Sequence, residues 1–305
     1  MNTKKYQGIV IPAVTPLTSE FSLDHGAVES MFENFYAHNV LPFILGTTGE
    51  GPSLPLPVKK DYLQKAGKLK KPGTILYAGI SANVFNEAVD LAKASFDLGA
   101  DVVAATLPSY FALSEYQMQQ YFEQLADAIG GPLIIYNIPA TTHMSIPLQL
   151  IDELSYHDNI VGTKDSERSD ERLQASINLW SSRQDFSHFV GWAGRSAVAL
   201  LKGSDGLIPS TGNVFPGLYE ELAKVSRLAD EKRAMELQRL SDVFGDLYQK
   251  GRSLGESLWA LKVLMHEKGL CETHVMPPLQ PGTTEQGSLL INELQLTLQK
   301  EGVQF

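Results

Sequence analysis

One cysteine, Cys271, stands in 305 residues, so no disulfide can form within the chain and the fold depends on its core. A lone thiol of this kind fits a cytoplasmic protein and a packing role. Basic residues are also short: 25 Lys and Arg face 35 Asp and Glu, a formal charge of −10, and no basic stripe is left to neutralise phosphates. That argues against a nucleic-acid partner. No apolar run reaches the length of a membrane span, which argues against a membrane protein. The run 8–14 is short, broken by Pro12, and lacks the cleavage site of a secretory signal. The seven histidines show no metal-ligand spacing and no carboxylate cluster suggests a two-metal site, so neither a metal nor a cofactor is expected. A Gly-x-Ser-x-Gly elbow, a phosphate-binding P-loop and a Gly-x-Gly-x-x-Gly fingerprint are all missing, which removes the usual footholds for serine hydrolases, nucleoside triphosphatases and dinucleotide enzymes.

What remains is an ordinary globular composition, 43% hydrophobic and 20% charged, with no low-complexity stretch and material for a large core. Eight short β-rich runs bounded by breakers occupy 8–17, 42–48, 74–80, 101–107, 132–139, 160–166, 186–192 and 206–213. Helical patterns fill the seven gaps, the clearest behind Ser114, where Met118, Phe122, Leu125 and Ile129 recur at helical spacing and Ser114 with Gln117 fits a capping box. Glycines at Leu98-Gly99-Ala100-Asp101 and Lys202-Gly203-Ser204 suit helix ends that feed a buried strand. The strands are near-continuously apolar rather than alternating, as parallel strands covered on both faces are. Eight such units predict an α/β fold, a (β/α)8 TIM barrel over residues 1–224 that carries the active site. An open doubly wound sheet is the alternative. Beyond Pro216 the β signal ceases, and 225–305 is predicted to be a C-terminal helical region.

In a barrel of this type the chemistry sits at the C-terminal ends of the strands. Four polar clusters fall there: Gly46-Thr47-Thr48-Gly49-Glu50, Pro108-Ser109-Tyr110, Tyr136-Asn137-Ile138-Pro139 and Lys164. Lys164 is the only one of seventeen lysines that reads as lying inside a strand; the others fall on polar helix faces, in turns or near the ends. As a nucleophile it must be neutral, which means lowering its pKa from about 10.4 to roughly 7–8, or ~4 kcal/mol of preference that burial alone can supply. The bland alternative is a strand-end lysine paired with Asp165 and extended to solvent. Tyr136 is either a core aromatic or, beside that amine, a proton relay held by the hydroxyl of Thr47 or Thr48. Gly-Thr-Thr-Gly is either a turn with Glu50 capping the next element, or a place where backbone and hydroxyl donors hold a carboxylate. His143 reads either as overhanging the pocket or as a solvated loop residue, and Arg168 as a surface arginine bridging Glu167 or Asp170 or as a partner for a substrate carboxylate.

Taken together, Gly46-Thr47-Thr48-Gly49-Glu50, Tyr136-Asn137-Ile138-Pro139 and Gly162-Thr163-Lys164-Asp165 resemble the dihydrodipicolinate synthase/N-acetylneuraminate lyase family from about Gly8 through the tail. The resemblance implies a class I lyase or aldolase that binds pyruvate or another 2-oxo acid as a Schiff base, as a homotetramer built as a dimer of dimers. It implies that Lys164 forms the imine and Tyr136 moves protons, and that Thr47 and Thr48, on the Gly46 turn, lie at the carboxylate and proton-relay end. It further implies that Tyr110 crosses a subunit interface, and that Gly191 and Ile208 bring backbone groups to the ligand. Ser166 and Thr141 complete the expected substrate-binding set.

The chain departs from the family's best-known members in substrate recognition. Dihydrodipicolinate synthases usually carry an arginine where Thr141 stands, and sialic acid lyases carry acidic residues where Ala193 and Gly194 stand. His143 and Arg168 replace a usual glycine. The segments 49–54 and 273–278 look most like 2-keto-3-deoxy sugar-acid aldolases and dehydratases. A synthase condensing pyruvate with aspartate semialdehyde and a catalytically silent 2-oxo-acid-binding barrel remain the alternatives.

Overall fold

The computed structural model describes residues 4–303. Eight strands, β1 (Gly8–Pro12), β2 (Leu41–Ile44), β3 (Tyr77–Gly79), β4 (Val102–Ala105), β5 (Leu133–Asn137), β6 (Ile160–Asp165), β7 (Ser187–Val190) and β8 (Gly206–Leu207), pair in sequence order. All pairs are parallel and β8 returns to β1, which closes the predicted barrel. The α-helices are α1 (His25–Ala37), α2 (Leu56–Leu69), α3 (Phe85–Asp97), α4 (Glu115–Ile129), α5 (Pro139–Thr142), α6 (Leu148–Leu154), α7 (Asp170–Trp180), α8 (Ser196–Leu201), α9 (Pro216–Arg227), α10 (Glu231–Gln249), α11 (Leu254–Glu267) and α12 (Thr284–Glu301).

Each predicted run contains a strand except 42–48, whose strand begins one residue earlier at Leu41, and every strand stops short of the run's C-terminal end. Burial outlasts the strand ladder. Ile208 and Thr211 are nearly inaccessible although the ladder ends at Leu207, so apolarity continues into loops that fold over the barrel mouth. The capping box at Ser114 and Gln117 is present, and Gly99 and Gly203 take the left-handed conformation just past α3 and α8.

Two apolar clusters result from the alternation of side chains along the strands. A large outer one lies between strands and helices; a smaller one, built around Val10, Phe43, Tyr77, Ile134 and Phe189, fills the barrel itself. Lys4, which reads as a residue near the chain end, is buried. Its Nζ donates to Trp180 O at 2.9 Å, Phe186 O at 3.0 Å and Asp205 Oδ2 at 2.8 Å.

The last barrel helix, α9, runs to Arg227, and residues 228–230 lead into α10. Helix α10 packs on α8, α9 and the short 3-10 turn Ala193–Arg195, and α11 and α12 pack on α10. The C-terminal helices therefore lean against the loops that follow β7 and β8, at the end of the barrel where Lys164 emerges. No helix among the described residues is long and apolar enough to cross a membrane.

Candidate active site

Register brings Tyr136 on β5, Lys164 on β6 and Phe189 on β7 to one level, since each is paired with the next. The Lys164 side chain lies inside the mouth, and the residue is 4% exposed. Its Nζ sits 3.8 Å from the centre of the Tyr136 ring and 4.9 Å from that of Phe43. No carboxylate among the described residues lies within ion-pair distance. Asp165 turns the other way, with Oδ2 accepting from Arg172 Nε at 2.6 Å and Oδ1 from Asn137 Nδ2 at 3.1 Å. The bland reading of a solvated Lys164–Asp165 pair is thereby replaced: the acid serves the outer wall and the amine faces the cavity.

Burial depresses the Lys164 pKa below its ordinary value, against a smaller upward pull from the charge and hydrogen bonding of Tyr136. For Tyr136 burial works upward, but the Lys164 charge and hydrogen bonds from Thr47, Lys164 and Ser166 outweigh it and leave the phenol lowered. Both groups thus move toward neutral pH. The open choice between the two threonines is resolved: Thr47 Oγ1 and the Tyr136 hydroxyl share a hydrogen bond of 3.3 Å.

The turn that carries Thr47 and Thr48 is tightly wound. Leu45 and Glu50 both take left-handed backbone angles, φ 59° and 57°, which non-glycine residues hold only when the surroundings enforce them. A Cβ on Gly51 would stand 2.0 Å from Leu45 O, so this glycine is required by the turn's own backbone. The backbone N–H groups of Thr47 and Thr48 donate to no other group among the described residues, which leaves two donors at the floor of the cavity.

Glu50 does not cap the next element. It is buried, its Oε2 accepts from Met276 N at 2.6 Å, and its Oε1 lies 2.5 Å from Lys262 Nζ. Lys262, on α11, also donates to His274 O at 2.5 Å and is fully inaccessible. Placing every lysine but Lys164 on polar helix faces, in turns or near the ends therefore fails for Lys262, while Lys4 is near the chain end as expected but buried. The signal was available: Lys262 is the one charge in the apolar stretch Leu258–Met265.

A cavity of about 730 Å³ opens above Lys164, and Thr47, Thr48, Tyr136, Ser166, Gly191 and Ile208 all line it. Gly191 has a steric reason, since a Cβ there would fall 2.1 Å from Ser166 Oγ. Gly46 and Thr141 lie instead on a neighbouring cavity of about 500 Å³, which shares Thr47 and Tyr136 with the first. Tyr110 reaches neither; it is 80% exposed and packs edge-on against Phe111. His143 is exposed and also lines neither cavity. Sequence reasoning missed the far wall, where α10 and the turn after it contribute Ser241, Asp242, Asp246, Gln249 and Arg252. Nothing in a helix of ordinary amphipathic pattern marks which polar residues face a cavity formed only by the fold.

The model of the dihydrodipicolinate synthetase family matches residues 5–296. The chain belongs to that family. An uncharacterised DapA-like lyase of Thermococcus onnurineus is 30% identical over 96% of this chain and 99% of its own. A 4-hydroxy-tetrahydrodipicolinate synthase of Acidiphilium cryptum is 31% identical over 76% of this chain and 80% of its own. Among solved structures, the dihydrodipicolinate synthase of Bacteroides thetaiotaomicron superposes with a TM-score of 0.90 at 28% identity, covering 97% of this chain and all of its own. YagE, a prophage protein of the family from E. coli K12 solved in complex with pyruvate, gives 0.89 at 26% identity, covering 96% and 98%. Membership in the dihydrodipicolinate synthetase family makes this chain a lyase of the class I aldolase kind.

Proposed function

We infer that Lys164 is the amine that captures the C2 carbonyl of a 2-oxo acid, and that the substrate is a 2-keto-3-deoxy sugar acid. One observation carries the reading: a buried lysine, lowered in pKa, rests on a tyrosine ring with no carboxylate to hold it charged. Lys164 Nζ attacks C2, Tyr136 passes a proton to the carbinolamine oxygen, and water leaves to give the protonated imine. The C3–C4 bond then breaks with its electron pair drawn into the imine, a proton leaves the C4 hydroxyl, and an aldehyde departs. Protonation of the enamine at C3 and hydrolysis return pyruvate and free Lys164. Dehydration is the sister reaction of the same site: a base takes a proton from C3, the C–H electron pair moves into the imine, and the enamine then expels the C4 hydroxyl, which leaves as water on gaining a proton. No resident cofactor is required, because the imine supplies the sink.

In this reading Thr47 relays protons to Tyr136, and the free N–H groups of Thr47 and Thr48 on the Gly46 turn take the substrate carboxylate. Ser166, Gly191 and Ile208 surround the reacting carbons, and Thr141 supports Tyr136 from the adjoining cavity. The volume above Lys164 and the polar wall of α10 favour a chain longer than pyruvate that carries hydroxyls. The exposed aromatics Tyr110, Phe111 and Tyr116 support pairing with a second copy in a homotetramer, with Tyr110 entering the partner's site.

Incubation with a panel of 2-keto-3-deoxy sugar acids tests the reading. Wild type consumes at least one of them and Lys164→Arg none. Turnover of pyruvate with aspartate semialdehyde, and of no panel member, would instead make the protein the synthase that its Acidiphilium relative is named for. Reversible pyruvate binding with no reducible adduct would leave a silent binding barrel.

A further inference from the structure

Four of the charged side chains around the main cavity, Glu167, Arg195, Asp242 and Arg252, are engaged by other protein groups. Glu167 Oε2 accepts from Asn137 Nδ2 at 3.1 Å and Ser145 Oγ at 2.6 Å. Arg195 is held by Asp170 through two bonds of 2.6 and 2.8 Å. Asp242 accepts from Gln238, and Arg252 gives Nη1 to Leu247 O at 3.0 Å. Arg168 has no hydrogen-bond or ion-pair partner among the described residues, although it lines this cavity. The two acids beside it in sequence, Glu167 and Asp170, are the ones already committed elsewhere, so the surface-bridge reading of Arg168 does not hold.

Its backbone, in contrast, is well held. Ser166 N donates to Asn137 O at 2.9 Å, Glu167 N to Asp165 Oδ1 at 2.9 Å, and Ser169 caps α7 by accepting from Arg172 N. The loop is therefore built, and the free guanidinium stands at the exposed rim while Lys164 and Thr48 form the buried floor. A planar guanidinium without a partner is matched by a carboxylate or phosphate, which it binds through two parallel bonds. The substrate's own 2-oxo acid end is engaged at the floor, so the group that reaches Arg168 belongs to the opposite end.

We propose that Arg168 binds an acidic group at the far end of the substrate, so that the ligand is a 2-oxo acid with two acidic ends. This rests on the reading that Lys164 captures the 2-oxo end. Asp246, on α10 across the cavity and without a side-chain partner among the described residues, then accepts from hydroxyls between the two ends.

The test compares 2-oxoadipate with 2-oxohexanoate, which differ in the distal carboxylate, by the concentration that half-saturates borohydride-reducible adduct. Wild type half-saturates with the diacid at about tenfold lower concentration, the scale of one charge-assisted bidentate contact. Arg168→Gln brings the two values together and Arg168→Lys keeps part of the gap. Equal values in wild type, or a gap that survives in Arg168→Gln, overturn the proposal. Failure of every 2-oxo acid, pyruvate included, to leave an adduct counts against covalent capture instead. A thermal-shift titration with the same pair then reads the distal contact: a larger shift for the diacid, lost in Arg168→Gln, supports it, and equal shifts overturn it.

Discussion

Two lysines are buried at opposite ends of one turn, and they have opposite surroundings. Lys262, in the C-terminal helices, is enclosed with Glu50 and the carbonyl of His274. Lys164, in the barrel mouth, is enclosed with the faces of Tyr136 and Phe43 and has no carboxylate among the described residues beside it. Removing an ammonium from water costs several kcal/mol in either place, but only Lys262 has that cost offset by a paired charge. Burial sets Lys262 in an ion pair with Glu50, whereas at Lys164 it acts on an amine with no such partner and depresses its pKa. In the proposed mechanism reactivity follows from the missing partner, and one turn touches both surroundings: Thr47 faces Tyr136 while Glu50, three residues on, grips α11.

The contrast breaks hardest at Lys164 itself. Lys164→Arg keeps a cation but loses the nucleophile, and turnover should fall by at least about 10⁴-fold, measured on whichever sugar acid the wild type consumes. Residual activity within tenfold would mean that the amine is not covalent. The next largest effect belongs to Lys262→Met, which leaves Glu50 buried and alone and should cost about 3–5 kcal/mol of stability in urea unfolding. The paired change Glu50→Gln with Lys262→Met should recover more than half of that loss. No recovery would show that the pair is not an electrostatic unit.

Tyr136→Phe should lower turnover by about 10²–10⁴-fold with the fold retained. It also sharpens the pKa argument. Tyr136 pulls the Lys164 pKa upward, so its loss should move the acid limb of imine formation to lower pH. A limb that moves upward would contradict the assigned direction. The smallest effect is the most telling for the comparison: Lys164→Met removes an unpaired buried amine and should leave stability unchanged or raise it by about 1 kcal/mol, opposite in sign to Lys262→Met.

The barrel was legible because eight buried parallel strands write eight nearly continuous apolar runs, and β5 and β6 placed Tyr136 and Lys164 at their ends without need of coordinates. Strand ends were not legible, because Ile208 is as buried in a loop as Leu207 is in a strand. The C-terminal helices could be counted from periodicity, yet their two contributions to the site, Lys262 under the threonine turn and the α10 wall opposite Arg168, depend on how α10 and α11 dock. Glu50 shows the same limit: a glutamate after Gly-Thr-Thr-Gly reads as a cap, and only the fold brings Met276, 226 residues away, to its carboxylate.

Borohydride reduction in the presence of pyruvate across a pH series, followed by peptide mass mapping, tests the central claim most directly. A pyruvate-derived adduct on the Lys164 peptide alone, forming through an acid limb below the ordinary lysine value of 10.5, is the predicted result. An adduct spread over several lysines, or a Lys164 peptide left unmodified at saturating pyruvate, would contradict it.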